Sequence, residues 1–205
     1  MRIERALLSQ VQAWRLVVLI LLITMLTGCG INNIPSYDEQ VKSAWAQVEN
    51  QYQRRADLVP NLVETVRGYA EQERETLTEV MEARSRATSI QIDADSLDDP
   101  EQLRRFQEAQ GELTGALSRL MAVSERYPEL RSNENFLTLQ SQLEGTENRI
   151  AVARRDFIQA VERYNTEIRT FPGRIWHSVL YSDMPLRENF EATADNAEQA
   201  PQVEF

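Results

Sequence analysis

The chain has 205 residues, with 22 Lys and Arg against 32 Asp and Glu, a formal net charge of −10, one cysteine and one histidine. So acidic a polypeptide repels nucleic acid, which needs a concentrated positive surface, and no nucleic-acid partner is expected. One cysteine and one histidine are too few for a disulfide or an ordinary structural zinc site, and there is no Gly-rich phosphate loop, so neither metal nor cofactor is expected.

Residues 1–28 read as a signal peptide or N-terminal membrane segment. Arg2, Arg5 and Arg15 form a basic head, and every residue from Leu16 to Ile23 is aliphatic. Leu26-Thr27-Gly28-Cys29 resembles the bacterial lipobox, which implies cleavage before Cys29 and its lipidation. The alternative is an uncleaved single-pass helix, but the apolar run is short of the roughly 20 residues that cross a bilayer. Either form keeps the arginines cytoplasmic and sends the rest across the membrane. Residues 29–35 are then a lipidated tether. The remainder, without Arg2, Arg5, Arg15 and Glu4, holds 19 basic and 31 acidic residues.

A helical domain is expected over 36–190. Ser36 with Glu39 has the capping-box arrangement. Val41, Trp45, Val48, Tyr52, Val59, Leu62, Val66, Tyr69, Leu77 and Val80 make an apolar stripe that predicts a first helix to about residue 88. Pro60 removes the bond to the Ala56 carbonyl, so a kink is expected near Asp57–Asn61, with a helix, turn, helix arrangement as the alternative. Residues 89–99 read as a polar loop. Asp99 as cap, Pro100 and Gln102 start a second helix carrying Leu103, Phe106, Leu113, Leu117 and Leu120, which Tyr127-Pro128 closes. A third opens near Ser132 or Asn133 and runs through Phe136, Leu143, Ile150, Phe157, Val161, Tyr164 and Ile168 to Pro172-Gly173. The fold class is therefore all-α, a long-helix antiparallel up-and-down bundle with a kinked first helix. Ile175, Trp176, Val179 and Leu180 suggest a short packing segment, and 191–205 a disordered acidic tail.

No catalytic set emerges, and no enzyme activity is expected. His177 reads as a surface or packing residue, and Asp93, Asp95, Asp98 and Asp99 lack the order of a calcium loop. More informative are Glu73 and Glu147, carboxylates in phase with apolar stripes, which burial penalises unless they are paired. Arg54, Arg55, Asp57, Arg149 and Arg154 are available neighbours. The expectation is a polar seam near Pro60 in which Arg54 or Arg55 meets Asp57, Glu147 and Arg154, with Asn61 donating to the carbonyl that proline frees.

The run Asn50-Gln51-Tyr52-Gln53-Arg54-Arg55-Ala56-Asp57-Leu58-Val59-Pro60-Asn61-Leu62-Val63, with Gly68-Tyr69-Ala70 and Glu73, resembles the LemA family. The likeness continues at Glu125 to Leu130, at Asn135 to Gln140, and at Gly145-Thr146-Glu147-Asn148-Arg149-Ile150 through Arg154, and ends with Tyr164-Asn165 and Phe171-Pro172. It implies a long-helix bundle behind an N-terminal membrane segment, and no defined activity. Arg54, Arg55, Asp57, Pro60, Asn61, Glu147, Asn148 and Arg154 match its motifs residue by residue. The lipobox-like Leu26 to Cys29 departs from the plain transmembrane start common in that family. Together these readings suggest a non-enzymatic, membrane-anchored envelope scaffold or adaptor. Its anchor is lipid or transmembrane, it faces out of the cytoplasm in the cell or outer membrane, and it binds another envelope protein or itself. The alternative is a small-molecule or cation sensor using the polar seam.

Overall fold

The computed structural model describes residues 30–190, together with Trp14 and Arg15. Cys29, the rest of the leader and the tail lie outside the described residues. The described residues are helical, without strands: α1 (Asn33–Arg67), α2 (Arg74–Ser89), a 3-10 turn (Ala94–Ser96), α3 (Pro100–Arg126), α4 (Pro128–Arg131), α5 (Glu134–Arg169) and α6 (Gly173–Leu180).

Their order in space follows from cross-helix pairs. Gln40 meets Arg163, Arg55 meets Glu147 and Tyr69 meets Asn133, so residue numbers rise along α1 as they fall along α5. The same holds between α2 and α3, where Arg86 meets Glu112 and Glu79 meets Arg119. The expected all-α antiparallel up-and-down bundle is the fold observed. It has four long helices, because the stretch read as one helix to about residue 88 divides in two.

That division falls at residues 68–73 and not at Pro60. The helix passes Pro60 and turns after Arg67, with Gly68 and Ala70 amides donating to Glu64 and Val66 carbonyls. One straight helix would carry the second half of its apolar stripe beyond any partner. Turning brings Leu77, Val80 and Ala83 back onto Val59, Leu62, Val63 and Val66, all buried. Burying each such aliphatic side chain fully is worth about 1.5–3 kcal/mol, which outweighs the loss of a few helical hydrogen bonds. Proline is tolerated because its orphan is satisfied from outside the helix. The Ala56 carbonyl accepts the Arg84 Nε–H of α2 at 2.7 Å, not the Asn61 amide, and Asn61 is exposed.

Other boundaries match or correct the sequence pattern. Asp99 caps α3, accepting from the amides of Glu101 and Gln102 while the Gln102 side chain donates back to its other oxygen. Asn133 caps α5 by accepting from Phe136 N–H. Ser36 is not a cap: α1 starts at Asn33, and the Ser36 amide already donates to Asn32.

Two apolar cores are stacked along the bundle. The upper one joins α1, α2, α3, α4 and α5 around Val59, Leu62, Leu113, Leu120 and Phe136. In the lower one, α1 and α5 extend past α2, and the loop after α2 with the start of α3 covers them through Ile92, Leu97, Leu103 and Phe106. The loop 89–99, read as polar, thus plugs a core with two buried side chains. Trp45 is its centre, with ring centroids 5.3 Å from both Phe106 and Phe157 and its indole N–H donated to the Ile92 carbonyl.

Candidate functional site: a polar layer between the cores

The two cores are separated by a layer built from one position on each of three long helices. Tyr52 belongs to the lower core and Val59 to the upper, and Arg55 stands between them. On α3 the layer residue is Gln110, between Phe106 and Leu113; on α5 it is Glu147, between Leu143 and Ile150. Arg55 is 1% exposed. Its Nη1 donates to Thr114 Oγ1 and Glu147 Oε1, both at 2.9 Å, and its Nη2 to the Gln110 carbonyl at 3.1 Å and Gln110 Oε1 at 2.6 Å. Gln110 in turn donates its amide to the Ala87 carbonyl, so the layer also holds the C-terminal turn of α2. The guanidinium lies 5.0 Å from the Tyr52 ring centroid. Its Nε is buried with no hydrogen-bond partner.

The charge of this cation is balanced from one side. Glu147 is 44% exposed while Arg55 is buried, so the carboxylate presents one face to the interior and one to solvent. It borders a groove of about 810 Å³ between α3 and α5, lined by Leu117, Met121, Leu137, Leu143, Gln140 and Glu144 among others. Leu137 is exposed there.

The expected seam is thus partly assembled. Arg55 and Glu147 come together, but the other expected members do not join them. Arg54 is exposed, and Asp57 accepts from Gln53 on the surface of α1. Arg154 lies 4.4 Å from the Phe190 ring in the lower half of the molecule. Asn148 is exposed, and the buried α5 residue beside Glu147 is Thr146. Glu73 sits in the turn before α2, where Arg126 Nη2 and the Tyr127 hydroxyl donate to it and tie that turn to the end of α3. Desolvation first and this carboxylate second push the Tyr127 phenol up.

A second polar cluster lies at the lower end and was not expected. Asp38 and Arg187 are both about 5% exposed, with Arg187 Nε and Nη2 donating to Asp38 Oδ1 at 3.0 and 2.8 Å. Arg187 Nη1 donates to the Asp95 carbonyl, and Lys42 bridges Asp38 and the Asp95 carboxylate. The hydrogen bond to Asp95 is the main cause raising the Lys42 pKa, and the same bond lowers that of Asp95. Around this pair the segment 181–190 is strapped across the helices. Asn165 exchanges two hydrogen bonds with the Arg187 backbone, Tyr164 donates to the Pro185 carbonyl, and the Glu188 amide donates to Leu97. Burial, then the Asp38 charge, pushes the Tyr164 phenol up to about 12. His177 faces the Met184 carbonyl at 2.9 Å in the same strap.

Among the described residues, no group of three or more His, Cys, Asp or Glu could hold a metal ion, and no helix is long and apolar enough to cross a membrane. Asp93, Asp95 and Asp99 serve a turn, an ion pair and a helix cap.

A four-helix, up-and-down bundle with an inward-facing arginine between two cores is the class of protein that this geometry defines. The sequence profile of the LemA family matches residues 44–205, and the chain belongs to that family. It is similar to the magnetosome proteins MamQ 1 and MamQ 2 of Paramagnetospirillum magneticum, at 41% identity over 64 residues, 31% of this chain and 24% of each relative. It is also similar to protein LemA of Metamycoplasma hominis, at 23% identity over 140 residues, 68% of this chain and 60% of that relative. The chain therefore spans about a quarter of the magnetosome relatives it matches. These likenesses point to a membrane-associated protein of the cell envelope.

Proposed function

We propose that this protein is a membrane-anchored envelope scaffold or adaptor that performs no chemistry of its own and binds another envelope protein along the α3–α5 groove. The carrying observation is Glu147, half in and half out of the layer at the mouth of a groove whose charged lining is mainly acidic, Glu125, Glu144 and Glu147 against Arg131. Such a surface suits an amphipathic helix with apolar anchors and a basic residue opposite Glu144 and Glu147. The rival sensor reading would put a ligand in the polar layer. The terminal guanidinium nitrogens of Arg55 are already occupied by the protein's own groups, which favours the scaffold.

Photo-crosslinking in whole cells tests this, with a probe at Leu137 in the groove and another at Arg54 on the outer face of α1. Reproducible capture of one protein from Leu137 and not from Arg54 is expected. No capture, together with ligand-induced stabilisation of the purified chain, would favour the sensor. The anchor is lipid on Cys29, with the bundle outside the cytoplasm. Intact mass of the membrane-extracted protein should show an acylated chain starting at Cys29, and a species retaining residues 1–28 with a free thiol would contradict this.

A further inference from the structure

We propose that α6 is a second membrane contact: Phe171 and the outward face of α6 lie in the phospholipid interface beside the N-terminal anchor. The inference rests on membrane attachment through the residues ahead of Gly30 and is independent of the groove.

Ile175 and Val179 are four residues apart and share one face of α6, and Phe171 lies in the turn just ahead of it. Phe171, Ile175 and Val179 are 78%, 48% and 69% exposed, although buried Gly173 and half-buried Trp176 hold the same helix down. Nothing in the rest of the described structure covers that face.

Its position and charge identify what covers it. Gly30, the first residue after Cys29, lies against Glu167 in the last turn of α5: a Cβ on it would stand 3.5 Å from the Glu167 carboxylate, and Asn33 donates to the same oxygen at 3.1 Å. A Cβ on Gly173, the first residue of α6, would meet the Glu167 carbonyl. The point where the chain leaves for its anchor and the start of the bare apolar face therefore adjoin one residue. In a chain of 32 acidic residues, 168–182 contains none, and it carries Arg169 and Arg174, both exposed. An exposed apolar helix face that carries no acid, and is flanked by arginines in an otherwise acidic protein, has the makeup of an interfacial helix on anionic lipid, which sinks roughly 5–10 Å into the headgroup boundary. With a tether of a few residues at Gly30 and a second contact at α6, the bundle is held in one orientation instead of swinging on its anchor.

The test uses the full chain reconstituted in vesicles of phosphatidylcholine and phosphatidylglycerol, with p-benzoylphenylalanine placed at Val179, at Ile175 or, as a control exposed elsewhere on the bundle, at Leu137. Adducts are read by mass. Phospholipid adducts are expected at Val179 and Ile175, several-fold above Leu137. A peptide adduct at Val179, whether to a second copy or to the chain's own residues 191–205, would overturn the proposal, as would lipid labelling no higher than at Leu137. Equal labelling on vesicles of phosphatidylcholine alone would overturn the part given to Arg169 and Arg174. Capture of a partner from Leu137 in cells is read separately, so either proposal can fail while the other stands.

Discussion

Two buried arginines, Arg187 and Arg55, are neutralised in different ways. Arg187 and Asp38 are sealed together, every terminal nitrogen bonded and both partners equally hidden. Arg55 is as deeply buried, but its carboxylate partner is nearly half exposed and most of its hydrogen bonds go to neutral groups. The contrast separates a structural lock from a polar layer with an outward face. A sealed pair has no surface to offer, and its loss leaves an uncompensated charge in the interior. The Arg55 layer keeps its cation satisfied from inside and turns its anion toward a groove.

The largest effect should come from breaking the lock. Asp38→Ala is expected to cost about 3–5 kcal/mol, because Arg187 would stay buried without its counter-charge. Chemical denaturation of the full chain in mild detergent measures this. The double variant with Arg187→Ala should lose less than the sum of the two single changes. If Asp38→Ala costs under about 1 kcal/mol, the strap is not a lock and the contrast fails.

A smaller effect is expected at the proline. Arg84→Ala should cost about 1 kcal/mol by leaving the Ala56 carbonyl without a donor. In a Pro60→Ala background the residue 60 amide can bond that carbonyl, so the same substitution should cost clearly less. Equal costs in both backgrounds would show that Arg84 does not compensate for the proline.

A third effect is a pH dependence at the lower end. The Tyr164 phenol ionises at about 12 in the fold against an ordinary value of about 10, so the folded state holds its proton longer. This contribution is full below pH about 10 and is lost as pH rises toward about 12. Unfolding followed across that range should steepen in the native chain and flatten in Tyr164→Phe.

Much of this architecture was legible in the sequence, for physical reasons that also explain the gaps. Asp99-Pro100 with Gln102, and Asn133, could be placed as helix starts because their caps are made by local side chains. The start at Asn33 has no such cap and was assigned to Ser36 instead. The turn at 68–73 left the apolar spacing unbroken, so Leu77 and Val80 read as a continuation of α1 when they face it from α2. Arg55–Glu147 could be anticipated from a carboxylate in phase with a buried stripe. Gln110 carried the same kind of signal, filling the gap between Phe106 and Leu113, and so did Asp38 between Ile34 and Val41. Arg187 and its strap did not, since segment 181–190 has no period to read and is held by side chains far away in sequence. The motif residues Tyr164 and Asn165 hold that strap, a role visible only in three dimensions.

The direct test of the outward-facing layer is Glu147→Ala, followed by stability and by partner capture in the same variant. Arg55 keeps Gln110 and Thr114, and Glu147 is nearly half exposed, so a loss of about 1–2 kcal/mol is expected, well short of the lock. Crosslinking from the Leu137 probe should fall several-fold even where the variant remains folded. A loss of about 3–5 kcal/mol with undiminished capture would contradict the account and make Glu147 another internal ion-pair partner.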